Sequence, residues 1–286
     1  MSVRLVITDA MWDRIEPLMP ADPVRGRRWA DHRRTLEAIA WKYRTNSPWR
    51  DLPEELGPFQ TAHKRLIRWA IDGTWETILA AVLAAADADD DIDWTVSVDS
   101  TVVRAHQHAA GAPQKGAAHR GEPVDHALGR SRGGLSTKVH LAADGRARPL
   151  AFTVTAGQAG DAPAFETVMS RIRVHRSGPG RPRTRPLAVL ADRAYSSRAI
   201  RAHLRRRGIR AVIPQPSDQV GHRLRRGRSG GRPPAFDSEA YKQRNAVERC
   251  INRLKQWRGL ATRTDKLAIA YQAALHLAGI LIWTRR

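Results

Sequence analysis

Apolar residues recur at helical spacing through the first third of the chain. Leu36, Ile39, Ala40 and Tyr43 fall on one face of a segment that Asp31 is placed to cap, and Leu66, Ile67 and Ala70 mark a second helix, begun at Phe59 and stopped by Gly73. A shorter helix carrying Trp12, Ile15 and Met19, capped by Thr8 or Asp9, is distorted or ended by Pro17, and "TWETILAAVLAAA" makes a fourth. His63, Lys64, Arg65 and Arg68 lie largely around the apolar face of the Phe59 helix. Short helices joined by turns, one of them basic, resemble a helix-turn-helix arrangement; an ordinary amphipathic helix with a solvated basic face fits the composition equally well. This predicts an all-helical unit over residues 1–86, and the acidic run Asp87 to Asp93 reads as a surface linker.

Beyond the linker the period drops to two. Trp94, Val96 and Val98 alternate with Thr95, Ser97 and Asp99, and "LSTKVHLAADGRARPLAFTVTAG" reads as two strands turning at Asp144-Gly145. "DAPAFETVMSRIR" is a helix capped by Asp161, "PLAVLADRAYSS" a strand covered on both faces, "SSRAIRAHLRRRG" a helix ending at Gly208, and "IRAVIP" a short buried strand. The Gly/Arg/Pro-rich "QVGHRLRRGRSGGRPPAF" is expected to be mobile, and Asp237 or Ser238 caps a helix running from Ala240 to Arg258. Leu267 to Trp283 is about as long as a short membrane span. Gln272, His276 and many alanines make it a buried core helix instead. The element order over 94–286 is that of a mixed α/β domain.

Charge adds a partner to this picture. The 286 residues include 49 Lys plus Arg against 28 Asp plus Glu, a net +21. Genomic bias accounts for 42 Arg against 7 Lys but not for the excess of bases over acids, which points to a polyanion. The single Cys250 excludes an internal disulfide and fits a reducing compartment, and the N-terminus has no signal-peptide pattern, so a cytoplasmic protein is expected.

Chemistry enters with three acids. Asp99 follows the run Thr95–Val98 and Asp192 follows "LAVLA", so each is expected where a strand finishes. If those strands are parallel neighbours, the two carboxylates meet at one sheet edge and favour hard cations; either Asp alone is more often a cap or turn residue. Glu248 is the one acid from Ala240 to Arg258, among six bases. Tyr241, Arg244, Glu248 and Lys255 align along that helix beside an apolar stripe of Ala240, Val247, Ile251 and Leu254. Two Asp and a Glu suffice to hold a pair of Mg2+ ions for in-line attack on a phosphodiester; a plain salt bridge to the neighbouring bases explains Glu248 as well.

The spacing in "AYKQRNAVERCINRLK" resembles the Y-(2)-R-(3)-E-(6)-K signature of bacterial insertion-sequence transposases with a DDE triad. "VDSTVVRAHQHAAG", "LADRAYSS" and "WRGLATRTDK" resemble further blocks of the insertion-sequence-five family in the same order, and the N-terminal third resembles that family's N-terminal region. The resemblance implies a ribonuclease-H-like catalytic domain after a small helical, helix-turn-helix-like domain. It implies that Asp99, Asp192 and Glu248 ligate Mg2+, with Mn2+ able to substitute, and that Arg244 and Lys255 contact DNA phosphates near the scissile bond. Tyr241 would pack against or bond the element end. The implied activity is hydrolytic nicking at terminal inverted repeats followed by attack of the 3′-hydroxyls on target DNA. No membrane partner is implied, and pairing of two ends implies a homodimer or higher oligomer on DNA. A non-catalytic DNA-binding regulator and a metal-dependent nuclease without strand transfer are the alternatives. Lys64, Arg65 and Arg68 are the candidate DNA-binding residues of the N-terminal part.

Two patterns are set aside. "GRSRGGLST" has Leu135 where a phosphate loop needs Lys. His106, His108, His119 and His126 lack the spacing of a metal site and read as solvated.

Overall fold

The computed structural model describes residues 4–22, 28–112, 119 and 121–285. Four helices open it: Asp9–Ile15, His32–Thr45, Phe59–Ile71 and Thr74–Ala88. Their starts are written in the sequence. Thr8 accepts from the Met11 N–H and Asp31 from the Arg34 N–H, each such cap supplying about 1 kcal/mol, while Pro17 sits in the 3-10 turn that closes the first helix.

Among the described residues, seven strands form one sheet: β1 (Thr95–Ala105), β2 (Gly129–Ser131), β3 (Gly134–Ala143), β4 (Pro149–Ala156), β5 (Ala188–Ala191), β6 (Arg210–Val212) and β7 (Thr262–Arg263). β4, β3 and β1 pair antiparallel, and β1, β5 and β6 pair parallel. The order β4-β3-β1-β5-β6 is that of a ribonuclease-H-like mixed sheet. "GRSRGGLST" folds as the tight β2–β3 hairpin, which needs Gly134 at φ +97°.

Four expectations change here. Gly160, not Asp161, precedes the Asp161–Arg171 helix as its cap, with no side-chain bond; Asp161 turns back to the sheet. The Arg-rich stretch folds, with a helix at Ser217–Arg225 and a 3-10 turn at Gly227–Gly230. The helix from Ala240 is two helices, Ser238–Lys242 and Asn245–Lys255, the first capped by Asp237. The acidic run is a clamp rather than a solvated linker. Asp87 accepts from the Trp94 indole at 2.9 Å and Asp91 from Arg148 at 2.6 Å, and the Arg148 guanidinium lies 3.8 Å from the centre of the Trp283 ring.

The core is continuous across that clamp. Ile39, Leu66 and Trp75 of the helical part, Val98 and Leu141 of the sheet, and Leu277 and Trp283 of the last helix belong to one buried cluster. That last helix, Ala268–Thr284, is buried along nearly its whole length, and Glu122 caps it from afar by accepting the N–H groups of Ala268 and Ile269 at 2.8 and 2.9 Å. No helix among the described residues is long and apolar enough to cross a membrane.

Candidate active site

Parallel pairing of β1 with β5 brings two acids side by side. The register runs from Thr95↔Ala188 to Val98↔Ala191, so Asp99 and Asp192 take the next position on each chain. They do not leave the sheet together. Asp192 leads into the 3-10 turn Arg193–Tyr195, accepting from the Ala194 N–H at 2.9 Å, whereas β1 runs on through Asp99 because its other edge stays paired with β3. On the β5 side, pairing resumes only where Arg104 meets Thr262 of β7. Among the described residues no strand covers that edge from Asp99 to Val103, and Lys255 donates to the Val102 carbonyl there at 3.4 Å.

Glu248 is delivered by the break in its helix. At Gln243–Arg244 the backbone tightens, Arg244 donating to Tyr241 O at 3.0 Å and Val247 to Arg244 O at 3.1 Å. Arg244 therefore begins the second helix and Glu248 lies in its first turn, where the helix dipole favours an acid. Val247 and Leu254 bury as spaced, joined by Cys250, while Ile251 is only half covered. Tyr241 packs beside Ala188, Leu190 and Val212, with its ring centre 5.3 Å from that of Phe236, and so fixes the break against β5 and β6.

Arg244 joins the outer members of the triad. Its Nη2 donates to Asp99 Oδ2 at 2.5 Å and its Nη1 to Glu248 Oε1 at 2.7 Å. Asp99 also accepts the Ser100 N–H at 2.7 Å. Burial pushes the Asp99 pKa up; Ser100 and Arg244 oppose this, and Asp192 and Glu248 add to it. Burial also disfavours the Arg244 charge, but Asp99 and Glu248 outweigh it and hold its pKa above the ordinary value. The all-oxygen chemistry of the three acids fits a hard divalent ion. With the guanidinium between them they stand apart: among the described residues no three His, Cys, Asp or Glu side chains are gathered closely enough to hold a metal.

Behind Asp99 lies a polar cluster that sequence reading missed. Ser100, the next residue along β1 and so on the opposite face, donates to Asp161 at 2.6 Å, and Lys138 donates to the same oxygen at 3.1 Å. His140 bonds Thr155 at 2.8 Å, its pKa pushed down to about 4, chiefly by burial. The Tyr195 phenol is buried nearby; burial, then Asp161, Asp99 and Asp192, push its pKa up. The signal available was Lys138 and His140 at alternate positions of one strand.

The basic candidates of the Phe59–Ile71 helix divide. Lys64 and Arg68 are exposed. Arg65 is buried, against expectation, because its guanidinium is wedged over Trp29 at 4.0 Å and Trp69 at 5.0 Å and bonds His32 at 3.0 Å. Among the described residues the histidines form no metal-binding cluster: His106 and His108 meet edge-to-face with ring centres 4.4 Å apart, and His126, buried rather than solvated, pairs with Glu122 at 2.5 Å.

The chain matches two family models, "Putative transposase of IS4/5 family" over residues 7–79 and "Transposase DDE domain" over residues 91–283. It is 39% identical over 108 residues to "Uncharacterized protein y4sN" of Sinorhizobium fredii, a match covering 37% of this chain and 82% of that one. It is 30% identical over 151 residues to "Putative transposase for insertion sequence element IS6501" of Brucella ovis, covering 53% of this chain and all of that one. Among solved structures, the Mos1 transposase paired-end complex with left transposon end is similar at 13% identity and a TM-score of 0.25, over 81% of this chain and 80% of that one.

Proposed function

The chain belongs to the family of transposases with a DDE domain, and on that premise we propose that it binds the ends of an insertion sequence and cuts and joins DNA there with Asp99, Asp192 and Glu248 as metal ligands. The observation that carries this reading is that Asp99 and Asp192 take neighbouring positions beyond the parallel β1–β5 register, while Arg244 links Asp99 to Glu248. Asp99, Asp192 and Glu248 would hold Mg2+ or Mn2+ through their carboxylate oxygens, and the ions would supply activation of a water or 3′-hydroxyl and stabilisation of the leaving oxygen.

The chain's own groups do the rest. Arg244 and Lys255 exchange their present partners, two carboxylates and the Val102 carbonyl, for phosphate oxygens of the scissile strand. Tyr241 holds the helix break that aims Arg244. Among the described residues no strand pairs with the β1 edge from Asp99 to Val103, where Arg244 and Lys255 bond instead, and the sheet fixes Asp99 and Asp192. Lys64 and Arg68 offer their charges to the element end, and a homodimer or higher oligomer brings two ends together on DNA.

Purified protein incubated with a labelled element end and Mg2+ tests this directly. The expected products are nicked ends bearing 3′-hydroxyls, lost in Asp99→Ala; DNA binding without cleavage, indifferent to that substitution, would sink the catalytic reading in favour of a regulator. In the helical part, Arg68→Ala is expected to weaken end binding several-fold at physiological salt while costing at most about 1 kcal/mol of stability, through its exposed contact 4.6 Å over Trp29. Arg65→Ala is expected to cost about 1–3 kcal/mol of stability instead, through the lost stacking and hydrogen bond, as read by denaturant unfolding.

A further inference from the structure

The Arg-rich stretch that the sequence left without a role builds one wall of a cleft of about 730 Å3. The other wall is the Arg198–Arg206 helix, and Gln219 closes the floor by donating to Ser196 at 2.8 Å. Arg198, Arg201, Arg205, Arg223, Arg226 and Arg232 line it, and no carboxylate does. Among the described residues none of these six guanidinium groups has a salt bridge. Among the described residues, only Arg201 of the six makes a side-chain hydrogen bond, donating to the Ile213 carbonyl at 2.7 Å. Arg223 carries a buried Nε with no acceptor.

Such a cluster opposes folding by mutual repulsion and is relieved by a polyanion. Its extent argues against a single small anion. Arg198, Arg201 and Arg205 are three and four residues apart, a stripe about 10 Å long at 1.5 Å per residue, which spans about three phosphates of a DNA strand at 3.4 Å each. The facing wall repeats the pattern with Arg223 and Arg226. The cleft also begins beside the triad, since Ser196 in its lining is separated from Asp192 only by the turn Arg193–Tyr195.

We infer that this cleft is a second DNA seat, holding the sugar-phosphate backbone of a segment that leaves the acids on the Asp192 side. The inference rests on the transposase reading for its ligand class. Two segments share that chemistry: the donor DNA flanking the element end, and the target duplex.

The test uses the full chain and the triple variant Arg198→Gln/Arg205→Gln/Arg226→Gln. Both are titrated across salt with two labelled duplexes, one carrying an element end with its flank and one of unrelated sequence. The variant is expected to bind at least one duplex about tenfold more weakly, with a salt slope shallower by about 0.9 per lost phosphate contact, roughly 2 to 3 in total. A loss confined to the flanked end identifies donor DNA, and a loss on the unrelated duplex identifies the target; either supports the cleft. Unchanged affinity and slope on both duplexes, in a variant that melts like the parent, would overturn it. Should the triple variant melt early, Arg205→Gln, at an exposed position, is measured alone, where a slope change of about 0.9 supports the cleft and none overturns it. The readout is binding, so a protein that failed to nick yet bound through these arginines would refute the transposase reading and leave the cleft standing.

Discussion

Replacement of Glu248 by Gln is expected to reduce end cleavage on the order of 10^3-fold or more, about 4 kcal/mol of transition-state stabilisation, while DNA affinity changes by less than about threefold. Gln keeps the size of the side chain and an oxygen to accept from Arg244, so what is removed is the charge. The Glu248 side chain is 50% exposed and lies on the surface of its helix, so the fold has little at stake. Single-turnover cleavage beside an equilibrium binding titration separates the two effects. Equal loss of both would make Glu248 a plain salt-bridging residue; loss of cleavage alone is the signature of a metal ligand.

Arg244→Ala is expected to move two observables in opposite directions. Cleavage is expected to fall by at least about 10^2-fold, since the proposed Arg244 contact to a phosphate near the scissile bond would be gone. Without DNA, however, Mn2+ is expected to bind the variant at least tenfold more tightly, about 1.4 kcal/mol, because the guanidinium no longer occupies Asp99 and Glu248. Electron paramagnetic resonance of free Mn2+ reads this with no DNA present. A residue with a merely structural role would loosen the acids and weaken the ion, so unchanged or weaker Mn2+ binding refutes the exchange of partners.

Much of this site was legible because strand pattern and spacing are local. Asp99 and Asp192 stood out at the ends of apolar runs, and the parallel register met the condition on which their pairing depended. Glu248 stood out as a lone acid, but its link to Asp99 through Arg244 did not: the Arg244–Asp99 bond spans 145 residues and depends on a helix break no propensity marks, since Gln243 and Arg244 are both good helix formers. β1 outran its expected end because pairing with β3 overrides the local signal at Asp99. Arg65 failed the other way. Its charge reads as solvent-facing, yet a guanidinium is weakly hydrated and stacks well, and Trp29 and Trp69 form a slot for it. The aspartates of the acidic run were misread for a similar reason, their partners Arg148 and Arg183 lying far along the chain.

The unbroken core that joins the opening helices to the sheet bears on how a cut would be positioned. Tethered modules search independently, and the reach between them follows linker length. Here Leu66 and Trp75, beside the basic face of the Phe59–Ile71 helix, are buried in the same cluster as Val98, next to Asp99. The opening helices and the strand carrying Asp99 therefore share one core. On the proposed function, the interval between the DNA contacted by the helices and the bond cut at the acids would be built into that packing, with the fold itself as the ruler.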